Sequence, residues 1–140
     1  MSTEQRILDF IGAHESRLLE FTRDLVATPS PTPPGDERAV AQRIQHELDA
    51  LGLGKAEVLA AKPERPNLLL KVKGARPGPV LVFNGHMDTN PATDDWTVDP
   101  WGGLYDDDFI FGIGVSNMKA GDAAAFVAVK TLSDAGVKLK

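Results

Sequence analysis

An uninterrupted apolar run at residues 80–83 constrains the fold of this chain more than any other feature. It reads Val-Leu-Val-Phe and leads directly into Asn84-Gly85-His86-Met87-Asp88. A short run without polar alternation is typical of a strand that is buried on both faces. The sequence therefore predicts a strand at residues 79–84 that lies inside a layered sheet.

The end of this predicted strand carries a histidine and a carboxylate that can act together. Side chains at positions i and i+2 of an extended backbone share a face, so we expect His86 and Asp88 to face the same way. Neutral imidazole is the commonest metal ligand in proteins, and a neighbouring carboxylate can hold the ring and raise its basicity. A strand that simply ends in a polar turn is the alternative interpretation of these two residues.

The remaining pattern predicts an α/β protein with a central sheet. Helical periodicity is present in three segments, residues 3–27, 36–51 and 118–135. Besides the apolar run, the β-prone segments are residues 56–61, residues 67–73 and a hairpin at 104–111 around an acidic turn. The proline-rich stretch at residues 28–35 predicts an ordered loop.

Composition narrows the classes of function and of site. The 140 residues suffice for one domain, and the net charge of −5 lacks the basic footprint of a nucleic-acid-binding protein. Because the chain has no cysteine, any metal must be held by His, Asp, Glu or similar ligands. The sequence shows neither a signal peptide nor a membrane span, so we expect a cytoplasmic protein without a membrane partner.

A second motif lies downstream at Gly112-Ile113-Gly114-Val115-Ser116-Asn117-Met118-Lys119-Ala120-Gly121. Together with Gly85–Pro91, the intervening Trp96–Gly103 and the upstream Pro29–Glu37, it resembles the M20 family of metallopeptidases and amidohydrolases. That family includes acetylornithine deacetylase, succinyl-diaminopimelate desuccinylase and aminoacylases. The resemblance covers nearly all of this chain, but only about the first third of a typical member.

The resemblance implies a three-layer, zinc-peptidase-like catalytic domain with a central mixed sheet. Residues 1–140 would be its N-terminal part, without the lid or dimerisation domain and without the C-terminal part of the catalytic domain. The pattern of residues 132–140 fits this expectation, because it predicts the end of a helix followed by a further strand. We also expect the full-length protein to form a homodimer through the inserted domain.

The implied activity is hydrolysis of amide bonds in N-acyl amino acids or small peptides. One or two zinc ions, or alternatively cobalt or manganese, would assist the reaction, and a glutamate beyond this chain would act as general base. We therefore expect the isolated chain to be inactive. A non-catalytic metal- or partner-binding relative of the same fold is the alternative.

The resemblance also implies roles for individual residues. His86 would be a metal ligand, Asp88 would be the carboxylate behind it, and Asn117 occupies the position of the aspartate that bridges two metals. An amide has one neutral carbonyl oxygen and an NH₂ donor, so Asn117 should bridge two cations poorly. Three explanations stay open: a subfamily with a mononuclear or weakened second site, an engineered change, and a non-catalytic relative. Ile113 stands where many members carry arginine.

The glycines of the second motif admit a different interpretation. Gly112-x-Gly114 after a strand and before a helix is found in phosphate-binding turns. However, Asn117 stands where the third glycine of the dinucleotide fingerprint would be, so a tight turn close to the site is favoured over a nucleotide site.

The other polar and aromatic candidates have structural interpretations. We expect Lys119 to be a solvated or salt-bridged helix residue rather than a catalytic amine. His14 and His46 lie in charged helical segments and are expected at the surface. Trp96 and Trp101 are expected to pin the loop between the two motifs. The sequence assigns no substrate-binding residue.

Overall fold

The computed structural model describes residues 1–106 and 108–137. The helices are α1 (Thr3–Ala13), α2 (Glu15–Val26), α3 (Arg38–Ala50) and α4 (Ala120–Asp134), and the strands are β1 (Glu57–Leu59), β2 (Asn67–Leu69), β3 (Leu104–Tyr105) and β4 (Ile110–Phe111). A π-helical turn, Val115–Lys119, leads into α4. Asp107 of the predicted acidic turn and residues 138–140 of the predicted chain exit lie outside the described residues. No helix in the described ranges is both long and apolar enough to span a membrane.

The helices follow the predicted periodicity, with one interruption. The helix predicted over residues 3–27 is divided at His14, which has φ −101° and ψ 4°. His14 Nε2 lies 3.0 Å from Asp134 Oδ2, so the division is tied to the end of α4. Helix α3 ends just before Gly52, whose φ of +67° is the left-handed conformation common after helices.

The core lies where α2, α3 and α4 meet. Helix α3 contributes side chains at intervals of four, and the buried cluster consists of Phe21, Leu25, Val40, Ile44, Leu48, Ala56 and Ala123. The ring centroids of Phe21 and Phe126 are 6.0 Å apart, which joins α2 to α4. This packing fixes the N-terminal half of α4, the helix into which the second motif leads.

A buried ion pair reinforces the contact between α2 and α3. Glu47 is fully buried, and its two carboxylate oxygens accept hydrogen bonds of 2.6 Å from Arg17 Nε and Nη2. Arg43 Nη2 donates a third bond of 2.9 Å to the same carboxylate. A buried carboxylate is tolerated because such partners replace the lost hydration.

Two small antiparallel sheets accompany the helices in the described part of the chain. Strands β1 and β2 pair with Val58 opposite Leu68, and β3 and β4 pair with Leu104 opposite Phe111. The predicted hairpin at 104–111 is confirmed. The combination of helices and small sheets is that of a partial α/β domain.

The strand predicted at residues 79–84 is wrong for this structure. Residues 79–84 have no β partner among the described residues, and Val80, Leu81 and Val82 are 84%, 79% and 73% exposed. A strand forms only when a neighbour supplies hydrogen bonds, and local apolar character cannot provide that neighbour. Pairing begins further along, where Thr89 forms a parallel bridge with Pro31.

We predict that Phe21→Ala lowers the free energy of unfolding by about 3–5 kcal/mol, because it leaves a cavity between α2, α3 and α4. Phe109→Ala is the matched control, since Phe109 is largely exposed and should change stability by about 0.5 kcal/mol or less. Urea denaturation followed by circular dichroism measures both changes. Equal losses in the two variants would contradict the assigned core.

Candidate functional site

The proline-rich loop positions the backbone of the first motif. Ser30 Oγ donates a 2.6 Å hydrogen bond to the carbonyl of Met87, and the N–H of Thr89 donates to the carbonyl of Ser30 at 3.0 Å. The N–H of Thr32 donates to the carbonyl of Thr89 at 2.9 Å. The loop is therefore ordered, as predicted, and it holds the segment that carries His86.

The glycine pair of the second motif forms the predicted tight turn. Gly114 has φ +91°, and a Cβ there would lie 2.9 Å from Thr89 Cγ2, too close for an ordinary contact. The N–H groups of Asn117 and Lys119 both donate to the carbonyl of Gly114, at 3.3 Å and 3.0 Å. A side chain at position 114 would thus conflict with both the backbone conformation and the space, which explains the glycine.

These two backbone segments bring His86, Asp88 and Asn117 together. His86 Nδ1 lies 3.1 Å from both Oδ1 and the backbone oxygen of Asp88. On the other side of the ring, His86 Nε2 lies 2.9 Å from Asn117 Oδ1. The imidazole thus stands between the carboxylate and the amide, and its edge is open to solvent.

The acceptors around His86 constrain its protonation. Both groups facing Nδ1 are acceptors, so the proton of a neutral ring belongs on Nδ1 and the lone pair on Nε2. The Nε2 lone pair and Asn117 Oδ1 are then two electron-pair donors that lie close enough together to bind the same cation. When no cation is present, a rotated Asn117 amide can instead donate its N–H to Nε2.

These donors suit a metal ion but form only part of a ligand set. Imidazole nitrogen suits zinc, and a carbonyl oxygen can complete a site that other groups dominate. Within residues 1–106 and 108–137, no group of three or more His, Cys, Asp or Glu side chains is arranged to hold a metal. His86 and Asn117 would therefore supply only part of an ion's coordination, and water or further ligands would supply the rest.

Asp122 is a site neighbour that the sequence analysis missed. Its carboxylate lies so close to Gly85 that a Cβ at that glycine would overlap it. Burial raises the pKa of Asp122 to about 6, and the nearby His86 opposes that rise. The available sequence signal was an acidic residue directly after Gly121 of the second motif, near the start of the predicted helix.

Lys119 is buried, so its prediction as a solvated or salt-bridged residue is wrong. It is 1% exposed, and its Nζ donates to the carbonyls of Leu25 and Thr28, at 2.5 Å and 2.9 Å. The ammonium also lies 5.8 Å from the centre of the Trp101 ring. Burial lowers the pKa of Lys119 to about 8. These carbonyls lie at the C-terminal end of α2 and just beyond it, where partial negative charge favours a cation.

A cleft of about 500 Å³ opens beside Asn117. It is lined by Thr89, Asn90, Pro91, Thr93, Trp96, Gly112, Ile113, Gly114, Ser116 and Asn117. None of these lining side chains is charged, and Ile113 contributes an apolar surface where the resemblance would place arginine. The two tryptophans thus differ, because Trp96 lines the cleft whereas Trp101 packs on Lys119.

Comparison with known proteins connects this geometry to a family. The family described as "Peptidase family M20/M25/M40" matches residues 82–140, the range that contains both motifs. An N-formyl-4-amino-5-aminomethyl-2-methylpyrimidine deformylase from Halalkalibacterium halodurans is 30% identical over 99% of this chain. A succinyl-diaminopimelate desuccinylase from Rhodospirillum centenum is 37% identical over 79% of it. The uncharacterized Escherichia coli protein YgeY is 31% identical over 94% of it.

The chain spans about a third of the length of these relatives. The aligned segments cover 34% of the deformylase, 29% of the desuccinylase and 31% of YgeY.

We predict that Lys119→Met lowers the free energy of unfolding by about 1–3 kcal/mol, because the carbonyls of Leu25 and Thr28 lose a buried donor. Lys130→Met is the control, since the ion pair of Lys130 with Asp134 lies within one helix and should contribute about 0.5 kcal/mol or less. Chemical denaturation measures both variants. An unchanged stability for Lys119→Met would show that Lys119 does not fasten the second motif to α2.

Proposed function

Since this chain belongs to peptidase family M20/M25/M40, we propose that it forms part of a metal-dependent hydrolase. The bonds cleaved are amide bonds in N-acyl amino acids or small peptides. The observation that carries this proposal is the convergence of His86 Nε2 and Asn117 Oδ1, with Asp88 on the opposite ring nitrogen. The names of two relatives, a deformylase and a desuccinylase, support removal of an acyl group.

The residues of this chain have distinct tasks in the proposed site. Asp88 keeps the proton of His86 on Nδ1, so that Nε2 is free to bind the ion. Asn117 offers a carbonyl oxygen, and its approach is fixed by the turn at Gly114. Peptidases of this family are generally metal-dependent, and zinc is typical. When bound, such an ion polarises the amide carbonyl and lowers the pKa of a coordinated water.

The proposal extends to the protein of which this chain supplies a part. Because the relatives are about three times longer than the matched segment, further ligands and the general base would come from residues not in this chain. The three-layer catalytic domain, the homodimer and the inactivity of residues 1–140 alone belong to the same proposal.

Asn117 favours a second candidate, a non-catalytic metal-binding relative. A bridging carboxylate presents two anionic oxygens, whereas this amide presents a single neutral one to the position beside His86 Nε2. Such a site can hold one ion but is a poor bridge between two. The candidates differ in whether an added carboxylate creates a second ion site.

We predict that zinc, cobalt or manganese binds this chain weakly and that His86→Ala abolishes the binding, because the variant removes the imidazole ligand. Isothermal titration calorimetry measures the affinity. His46→Ala is the matched control, since His46 is exposed on α3 and should bind like the unaltered chain. Equal binding by the chain and by His86→Ala would contradict the assigned ligand.

We predict that Asn117→Asp strengthens metal binding by roughly tenfold, because a carboxylate replaces a neutral oxygen beside His86 Nε2. A titration followed to saturation reports both affinity and stoichiometry. A second bound ion would favour the two-metal hydrolase, and a single tighter ion would favour a mononuclear site. An unchanged or weaker affinity would show that position 117 does not bind the ion.

A further inference from the structure

Arg65 lies behind the candidate site, between two carboxylates. Its Nε is 2.8 Å from Glu37 Oε2, and its Nη2 is 3.9 Å from Asp88 Oδ2. The other oxygen of Asp88 faces His86 Nδ1 at 3.1 Å. A continuous series of contacts therefore leads from Glu37 through Arg65 and Asp88 to the imidazole.

Glu37 anchors this series in the interior. It is 4% exposed, and its N–H donates to the carbonyl of Glu64 at 2.9 Å, which joins the loop before α3 to the segment that carries Arg65. Within the described residues, Glu37 Oε1 has no hydrogen-bond partner. Burial raises the pKa of Glu37, and Arg65 opposes the rise. A buried carboxylate in this position needs a nearby cation, so Glu37 and Arg65 hold each other in place.

The loop backbone at Gly35 passes very close to the guanidinium of Arg65. Gly35 has φ +81°, and a Cβ there would overlap Arg65 Nη1. Only glycine permits this conformation together with such a close approach. Gly35 and Glu37, both in the upstream segment Pro29–Glu37, therefore contribute to the placement of Arg65.

We propose that Arg65, held by Glu37, is a positioning residue that keeps the Asp88 carboxylate turned toward Nδ1 of His86. This inference rests on the proposed function, because it assigns a task within that site. Asp88 is partly exposed, so its carboxylate could otherwise rotate toward water. A planar guanidinium can contact two carboxylates at once through separate N–H groups, and this restricts the directions in which each carboxylate can turn. With Asp88 fixed, the orientation of the His86 ring is fixed as well, and Nε2 stays on the side of Asn117.

The first test measures the orientation of Asp88 in the metal-free chain. Three-bond NMR couplings report whether χ1 of Asp88 occupies one rotamer or an average. We expect one rotamer in the unaltered chain and averaged couplings in Arg65→Met. Arg38→Met is the matched control, because Arg38, the first residue of α3, forms an exposed pair with Asp36 and should leave Asp88 fixed. A single Asp88 rotamer in folded Arg65→Met overturns the proposal.

Arg65→Lys tests the same proposal if Arg65→Met does not fold. Lysine keeps the positive charge, but one ammonium group cannot reproduce the two separate contacts that Nε and Nη2 make. We therefore expect Arg65→Lys to fold and to show averaged Asp88 couplings. A single rotamer in this variant overturns the requirement for the guanidinium.

The second test uses zinc affinity and a double-mutant cycle. Arg65→Met should weaken zinc binding by roughly tenfold. If Arg65 acts through Asp88, the same change in an Asp88→Asn background should have no further effect. An equal loss in both backgrounds overturns the proposal. If the unaltered chain binds no zinc, the predicted metal binding by this chain fails, and the Asp88 couplings still decide the role of Arg65.

Discussion

Both halves of the candidate site depend on the main chain of the loop at residues 28–32. The carbonyl of Thr28 accepts from buried Lys119, which belongs to the second motif. Two residues further on, Ser30 binds Met87 and Thr89 of the first motif through its side chain and its carbonyl. His86 and Asn117 are distant in sequence, and they meet because a single loop holds the backbone of each. A proline-rich loop suits this task, since its restricted φ angles lower the entropy lost on ordering.

The groups on the two sides of the His86 ring differ in charge. Asp88 and its supporting Arg65 lie on the Nδ1 side, whereas a neutral amide lies on the Nε2 side. Asp122 adds a carboxylate with a raised pKa nearby. The Asp88 carboxylate on the Nδ1 side raises the basicity of the ring, which favours binding of a cation at Nε2. The neutral amide of Asn117 adds no charge on the Nε2 side, so His86 Nε2 carries that preference.

Sequence reasoning succeeded where the determining interactions are local. The repeat of Val40, Ile44 and Leu48 is sufficient to predict α3, and its apolar side faces the core as expected. Prediction from the sequence failed where the local structure depends on a residue that is distant in the sequence. The strand at residues 79–84 lacks a described neighbour to pair with, and Lys119 is buried because its acceptors lie in α2, far away in sequence. The placement of His86 beside Asn117 required the family resemblance, since periodicity does not encode it.

The most direct test of the account is anomalous X-ray scattering from crystals of this chain grown with zinc. We predict an anomalous peak within coordination distance of both His86 Nε2 and Asn117 Oδ1, with Asp88 still bound to Nδ1. Such a peak would establish that this chain supplies part of a metal site. An ordered His86 without a peak beside it, in crystals that contain zinc elsewhere, would contradict the account.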